Sequence, residues 1–356
     1  MPVQILHARR AKERAGRRGP SQTGGGAMTT NPIRISTATE IVTAVPALLG
    51  FIPQRSVVAI LLDGAKVVCA IRVDAGMDHL AAQLLPVAKK YAIDSVILVS
   101  VADAQHTDQS LATLEAIRAT LATAGVETRR ALHTAATEQG AEWTDIETGE
   151  RGVVDNPSTS ATNLASLVQG RNFAASREAI ENIYASESSD STAEVNRARS
   201  TSRVQGRQSF ARTTVTELAA LMTARQTPSV ELAARVGVMM ADDVEARDIV
   251  LGLGTSTPIE AHDAVAAIAR HLTGIERAEA LTVAGYFAYV AGRGPDAGIA
   301  FTEAENAAVA AGQAPPRQLT LLNRALSNGM APAQIRSLGD AGIETARKRR
   351  VSLTAS

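Results

Sequence analysis

The chain holds a single cysteine, Cys69, among 356 residues. No disulfide can form within it, and cysteine-based zinc sites are excluded. Aromatic residues are scarce, at 3%, which argues against a thick β-sandwich core and for helices packed closely on small side chains. Neither sign of charge is in excess, since Lys+Arg and Asp+Glu both total 36. No global field therefore steers the protein toward nucleic acid or a membrane surface. No apolar run approaches the roughly 20 residues that a membrane span requires, so no membrane association is expected. The basic first 27 residues (Arg9, Arg10, Lys12, Arg14, Arg17, Arg18) lack the apolar stretch of a secretory signal. Together these absences make the cytoplasm the expected location. In its apolar run, Val67–Ile71, Cys69 is expected to be a small buried thiol.

What is present is apolar and rich in alanine. Apolar residues form 45% of the chain, enough for two cores of ordinary size. Residues 1–27 end in Gly24-Gly25-Gly26 and precede Met28; they are expected to be a disordered basic tail or the product of an upstream start. Residues 28–157 are expected to form an α/β domain. Residues 158–212 are expected to be helices with a flexible Ser/Arg-rich excursion over 186–210, residues 213–346 a helical domain, and residues 347–356 a basic tail.

Local patterns support that division. Thr37 and Glu40 fit a capping box ahead of Ile41, Val42, Val45, Leu48 and Leu49 at helical spacing. Pro46 should kink this helix, and Gly50 is placed to end it. Val57–Leu62 and Val67–Val73 read as strands joined by Asp63-Gly64, a strong hairpin signal. Residues 78–91 carry helical periodicity, and Ser95–Val101 reads as a strand buried on both faces. A helix ending at Gly125 and a strand over Val126–Thr134 follow. The order strand, helix, strand from 67 to 101 predicts a parallel pair with a right-handed crossover. The fold class expected is therefore a mixed sheet, with a β-hairpin and a βαβ unit, followed by an all-α half. Apolar spacing predicts helices near 161–169, 174–185, 213–225, 229–240, 258–272, 277–291, 296–311 and 315–328.

Pro46-Ala47-Leu48-Leu49-Gly50-Phe51-Ile52-Pro53 leads into Ser56 and a Val-rich strand, and Arg72-Val73-Asp74 follows on the second hairpin strand. With Trp143, Gly170-Arg171 and Ser176-Arg177, these segments resemble the actinobacterial domain-of-unknown-function family DUF4192. The likeness runs from about residue 33 to 340; Pro46, Gly50, Phe51, Pro53, Ser56, Arg72 and Asp74 form its motif, and the first segment is its most specific part. The family pattern reads Arg-x-Asp-Leu-Pro where this chain has Asp74-Ala75-Gly76. The resemblance implies an architecture and a bacterial cytoplasmic setting, and no catalytic residue or cofactor.

Candidate chemistry comes from where strands end. If strands 67–73 and 95–101 run parallel, their carboxyl ends share the edge where open α/β sheets bind ligands. Asp74, Asp78 and His79 sit past the first end, and Asp103, His106 and Asp108 past the second. Carboxylates with imidazoles could orient a polar ligand, bind a metal ion or move protons. The bland alternative is that Asp78 and Asp108 cap helices. Arg72, inside an apolar strand, needs a carboxylate such as Asp74 if buried. Ser56 fits a turn better than a nucleophile elbow. Gly292–Gly298 lacks a Walker lysine and reads as a turn between helices. Arg199, Arg203 and Arg207, four apart, could form a basic stripe, but Gly206 and Ser200-Thr201-Ser202 disfavour a helix there, and no aromatics interleave for stacking on bases.

Two functions compete on this reading. The first is a non-enzymatic adaptor whose helical half docks a protein partner. The second is a small-molecule or metal-binding protein, or an enzyme, using the carboxyl edge of the sheet. Association with nucleic acid ranks below both. No residue pattern specifies a cofactor, a resident metal or an oligomeric state.

Overall fold

Thr37 caps the first helix. Its hydroxyl accepts from the Glu40 N–H, and the Glu40 carboxylate accepts from the Thr37 N–H, both at 3.1 Å, which satisfies two orphan donors reciprocally. Helix α1 (Ala38–Leu49) contains Pro46 and ends at Gly50 with φ 82°, a left-handed position that glycine takes without steric cost. The computed structural model describes residues 4–7, 37–157, 177–187 and 191–353. The expected helix at 161–169 and the family-like residues Gly170, Arg171 and Ser176 lie outside the described residues.

Strands β2 (Ser56–Asp63) and β3 (Lys66–Asp74) form the expected hairpin, with Gly64 at φ 59° in its turn. A 3₁₀ turn (Asp78–Gln83) and helix α2 (Leu84–Lys90) lead to β4 (Ser95–Val101), then α3 (Thr107–Ala122) and β5 (Glu127–Thr134). Short strands β6 (Glu142–Asp145) and β7 (Arg151–Val153) close the sheet, and Gln4–His7, read in sequence as part of the tail, adds β1 on the other edge. The order is β1-β3-β2-β4-β5-β6-β7, mixed in direction.

The βαβ unit falls one step later than the sequence suggests. The parallel pair is β4 with β5, joined by α3, while β2 lies between β3 and β4 and is antiparallel to both. Burial explains this placement. β2 is buried from Ser56 to Leu62, whereas β3 begins exposed at Lys66, so the more apolar strand takes the inner position. Because β3 and β4 each oppose β2, they still point the same way. Their trailing loops therefore reach the same edge, with the start of β2 between them.

The two faces of the sheet are covered differently. Val57, Ala59, Leu61, Ile71 and Val96 pack beneath α2 and α3 with Leu84, Leu114 and Ile117. The opposite face, with Val58, Ile60, Ala70 and Val99, packs under α1 and continues into the core of the helical half. Helix α4 (Arg177–Ile183) starts that half. It continues with α5 (Thr192–Gln205), α6 (Arg207–Ala224), α7 (Val230–Asp242), α8 (Val244–Leu253) and α9 (Pro258–Arg270). The rest is α10 (Gly274–Val290), α11 (Gly294–Ala310), α12 (Arg317–Ser327), α13 (Pro332–Ile335) and α14 (Ser337–Arg349). Helix α10 is buried from Glu276 to Val290 and forms the axis. The turn expected over Gly292–Gly298 is confined to its start: Gly292, at φ 80°, turns the chain after α10, and Gly294–Gly298 already belong to α11. At the crossing of α8 with α14, a Cβ on Gly252 would come within 2.6 Å of the Ile343 nitrogen, so backbones meet there.

Two expectations are corrected. Most of the Ser/Arg-rich segment 186–210 is helical in α5 and the start of α6. Its hydroxyls bond back along the helix, Ser200 to the Asn196 carbonyl and Thr201 to the Arg197 carbonyl, both at 3.0 Å, while Ala198 and Ser202 are buried. Tertiary packing thus overrides weak propensity, and Gly206 sits between two helices. Likewise Arg347, Lys348 and Arg349 are not a tail but the last turn of α14. Arg349 reaches Asp243 and Glu245, each at 2.5 Å, and cations near a helix C-terminus complement its dipole. No helix among the described residues is long and apolar enough to cross a membrane.

Cys69 lies in β3, fully buried, and burial pushes its thiol pKa up to about 12. The thiolate is the reactive form. The native protein should therefore fail to react with an aromatic disulfide reagent at pH 8 on a timescale at which the guanidinium-unfolded chain reacts fully. Release of the coloured thiol, followed by absorbance, checks this.

Candidate functional site

Three segments converge where β3 and β4 end: the α1–β2 connection, the loop after β3, and the first turn of α3. Helix α4 closes over them from the helical half. Between them lies a cavity of about 430 Å³ lined by Phe51, Ile52, Gln54, Arg55, Arg72, Asp74, Ala75, His106, Gln109, Arg177 and Glu178. Its size is that of a small-molecule site.

Arg72 is the deepest charge. It is 8% exposed, and its guanidinium donates to Asp74 at 2.5 Å and to the Gln54 carbonyl at 3.2 Å. The guanidinium carbon stands 5.7 Å from the centre of the Phe51 ring, a cation–π distance. Burial pulls the Arg72 pKa down and Asp74 pushes it back up, so the ion pair is what keeps a cation tolerable there. This is the salt bridge expected from the sequence. The Arg72 Nε, also buried, has no hydrogen-bond partner among the described residues.

Arg177, at the start of α4, brings a second guanidinium within 4.0 Å of the other Asp74 oxygen and bonds Glu181 at 2.7 Å. Arg55 supplies a third at the exposed rim. Its φ is 43°, a left-handed conformation that costs a non-glycine residue about 1 kcal/mol or more and that clusters at functional sites. The Arg55 carbonyl accepts from the Ala75 N–H at 2.9 Å, which holds that turn against the loop after β3. Gly76, at φ 83°, then lets Gln109 of α3 lie over the loop, where a Cβ would collide with its amide.

The five candidate residues separate. Asp74 and His106 both line the cavity. Asp103 lies behind His106, with its Oδ1 at 2.6 Å from the imidazole Nδ1, and it also accepts the Gln105 and His106 N–H groups at 3.0 and 3.1 Å. The hydrogen bond from His106 holds the Asp103 carboxyl below the usual carboxylate range. Asp78 is engaged elsewhere, accepting from Thr113 at 2.5 Å, so it ties the 3₁₀ turn to α3 rather than capping it. His79 is exposed and not among the walls. Asp108 sits in the first turn of α3. Ser56, fully buried in register with Asp74 and Val101, is not among the walls either. No group of three or more metal-ligating side chains occurs among the described residues.

Sequence reasoning missed Arg55, Gln109, Arg177 and Glu178 as walls. The family-like segments contain Arg55 and Arg177, which was the available signal. What it lacked was the knowledge that α4, over one hundred residues after β3, folds back to the sheet edge.

A buried polar cluster holds α4 there. Tyr184, just past its end, is fully buried, and its hydroxyl donates to Asp296 and lies 2.7 Å from the His262 Nε2. Arg293 pairs with Asp296, and Asp263 lies 2.8 Å from the other nitrogen of His262. Arg277 donates to the Tyr184 carbonyl at 2.5 Å, and Arg270 to the Asn182 carbonyl at 2.8 Å. Burial and the Asp296 carboxylate raise the Tyr184 phenol pKa well above its ordinary value, so it stays a donor. One short helix thus ends in the helical core and begins at the cavity.

A family model described as a domain of unknown function, DUF4192, matches residues 39–333. Nothing matches the chain among curated proteins or among solved structures.

Asp74→Ala leaves the buried Arg72 charge uncompensated and should destabilise the fold by about 3–5 kcal/mol. A lower urea midpoint with an unchanged slope would report it, and a midpoint equal to the parent's would contradict the pairing. Tyr184→Phe removes the hydroxyl that donates to Asp296 and contacts His262, and should cost about 1–3 kcal/mol. A thermal melt checks this second value.

Proposed function

The chain belongs to the DUF4192 family, a domain of unknown function, and from that premise we propose that it binds a small anionic ligand in the cavity walled by Arg55, Arg72 and Arg177. The observation that carries this reading is the buried, unpartnered Nε of Arg72 in a cavity with two further guanidiniums. Guanidinium forks recognise carboxylate and phosphate oxygens through paired N–H donors. The first turn of α3 supports the same reading, because His106 and Gln109 bring a helix N-terminus to the wall, and the dipole there favours negative charge. The walls hold three guanidiniums and two carboxylates, Asp74 and Glu178, and Arg177 also pairs with Glu181, which is not among the walls. The setting belongs to the proposal as well: a bacterial cytoplasm, where small anionic metabolites abound and the lone thiol stays reduced.

The adaptor reading of the helical half draws on exposed apolar side chains, of which Val204, Val244, Val309 and Leu321 are the most open. They lie on four different helices, and apolar residues scattered over a surface need no partner to explain them. Arg197, Arg203, Arg207 and Arg212 are exposed, yet without interleaved aromatics they favour solvation over nucleic acid. The cavity therefore carries the conclusion.

Arg55 offers the cleanest test, because glycine accepts its backbone conformation. Arg55→Gly should keep stability within about 1 kcal/mol of the parent while removing sulfate and phosphate binding, titrated calorimetrically at low ionic strength. A variant that binds these anions as the parent does, or a parent that binds neither, would sink the proposal.

A further inference from the structure

The arginines are not the only polar groups of the cavity. His106 lines it as well, with its Nδ1 held at 2.6 Å by Asp103. Asp103 is in turn fixed by the N–H groups of Gln105 and His106. An imidazole whose Nδ1 donates to a carboxylate is held as one tautomer, with Nε2 left as a proton acceptor. No partner for Nε2 occurs among the described residues. This is the arrangement of a group that takes up a proton when an anion arrives beside it. The charged groups around it are Asp103 and Asp108 on its own loop and helix, Arg72 and Asp74 from β3, Arg55 from the α1–β2 connection, and Arg177 and Glu178 from α4.

Resting on the anion-binding reading above, we infer that the Asp103–His106 pair is the proton-carrying part of the site and that the ligand is a phosphomonoester, bound as a dianion against an imidazolium. The donors point the same way. Three guanidiniums and the His106 imidazole meet at one cavity, and a phosphate group offers them three terminal oxygens where a carboxylate offers two. A phosphomonoester passes from one negative charge to two with a second pKa near 6, whereas a simple carboxylate carries a fixed single charge. The cavity is larger than a lone phosphate needs, which leaves room for the esterified group beside Phe51 and Ile52. Binding transfers one proton from solvent to the His106 Nε2, with no covalent bond made or broken.

Proton linkage tests this directly. Inorganic phosphate is titrated into the full chain calorimetrically between pH 6 and 8, in buffers of different ionisation enthalpy. The parent should take up about one proton per phosphate at pH 8, and progressively less toward pH 6. His106→Gln, which keeps a polar side chain, should lose that uptake and bind phosphate about tenfold or more weakly at pH 7. Asp103→Asn should reduce the uptake by removing the carboxylate behind the ring. Acetate should bind far more weakly than phosphate. Phosphate bound without proton uptake, uptake undiminished in His106→Gln, or acetate bound as tightly as phosphate would each overturn this inference and leave the anion pocket standing. Absence of phosphate and sulfate binding at every pH would remove the pocket reading itself.

Discussion

The Arg72–Asp74 ion pair is the constraint around which the cavity is built. A guanidinium on an inner-facing position of a β-strand is costly unless a carboxylate and further acceptors surround it. The chain supplies Asp74 two residues on, the Gln54 carbonyl and the Phe51 ring. Those three partners come from two segments, so neutralising one buried charge fixes the course of the α1–β2 connection against the end of β3. The strained Arg55 turn and the left-handed Gly76 follow from that docking. The concavity is what remains between them.

Helix α4 extends the constraint across the molecule. Its first residue approaches the outer oxygen of Asp74, and the residue after its last turn sits in the buried Tyr184–His262–Asp296 cluster. Movement of the helical half relative to the sheet would displace Arg177 from the wall of the cavity. A second tie, from Lys90 and Tyr91 at the end of α2 to the carbonyls of Asn328 and Gly329, joins the halves on the far side. Trp143 adds a third within the first half. Its indole N–H donates to Thr39 at 3.0 Å, and its ring lies against Gly152, so α1 is pinned to β6 and β7. The family-like tryptophan thus has a structural explanation.

Polar groups in the interior divide by what satisfies them. Arg247 and Glu279 face each other at 3.5 Å between α8 and α10, and Arg199 reaches Glu276. Ser100, Ser110 and His133 form a chain of contacts of 2.8 and 3.0 Å between β4, α3 and β5. These groups are consumed by the fold. The Nε atoms of Arg199 and Arg247 are buried without a partner among the described residues just as that of Arg72 is; Arg72 differs in lining a cavity, and His106 in lining it with one ring nitrogen engaged by Asp103. That contrast, more than the number of charges, separates the site from the structural network.

The amino-acid sequence alone determined the local elements whose cause is local. The Thr37–Glu40 capping box, the Gly50 stop, the Asp63-Gly64 turn, the apolar β4 run and the Arg72 salt bridge follow from spacing and from the cost of burying charge. It also placed Asp74 and His106 at one edge, because strand direction can be inferred from the order of elements. Only the tertiary structure decided strand adjacency, since either free edge of the hairpin could accept β4 and burial on both faces selected β2. Only the tertiary structure made 192–205 a helix, because packing of Ala198 and Ser202 outweighs the weak propensity of its serines and glycine. The approach of Arg177 to Asp74 was likewise invisible in one dimension, for it depends on a buried tyrosine that finds its histidine and aspartate from helices much later in the chain.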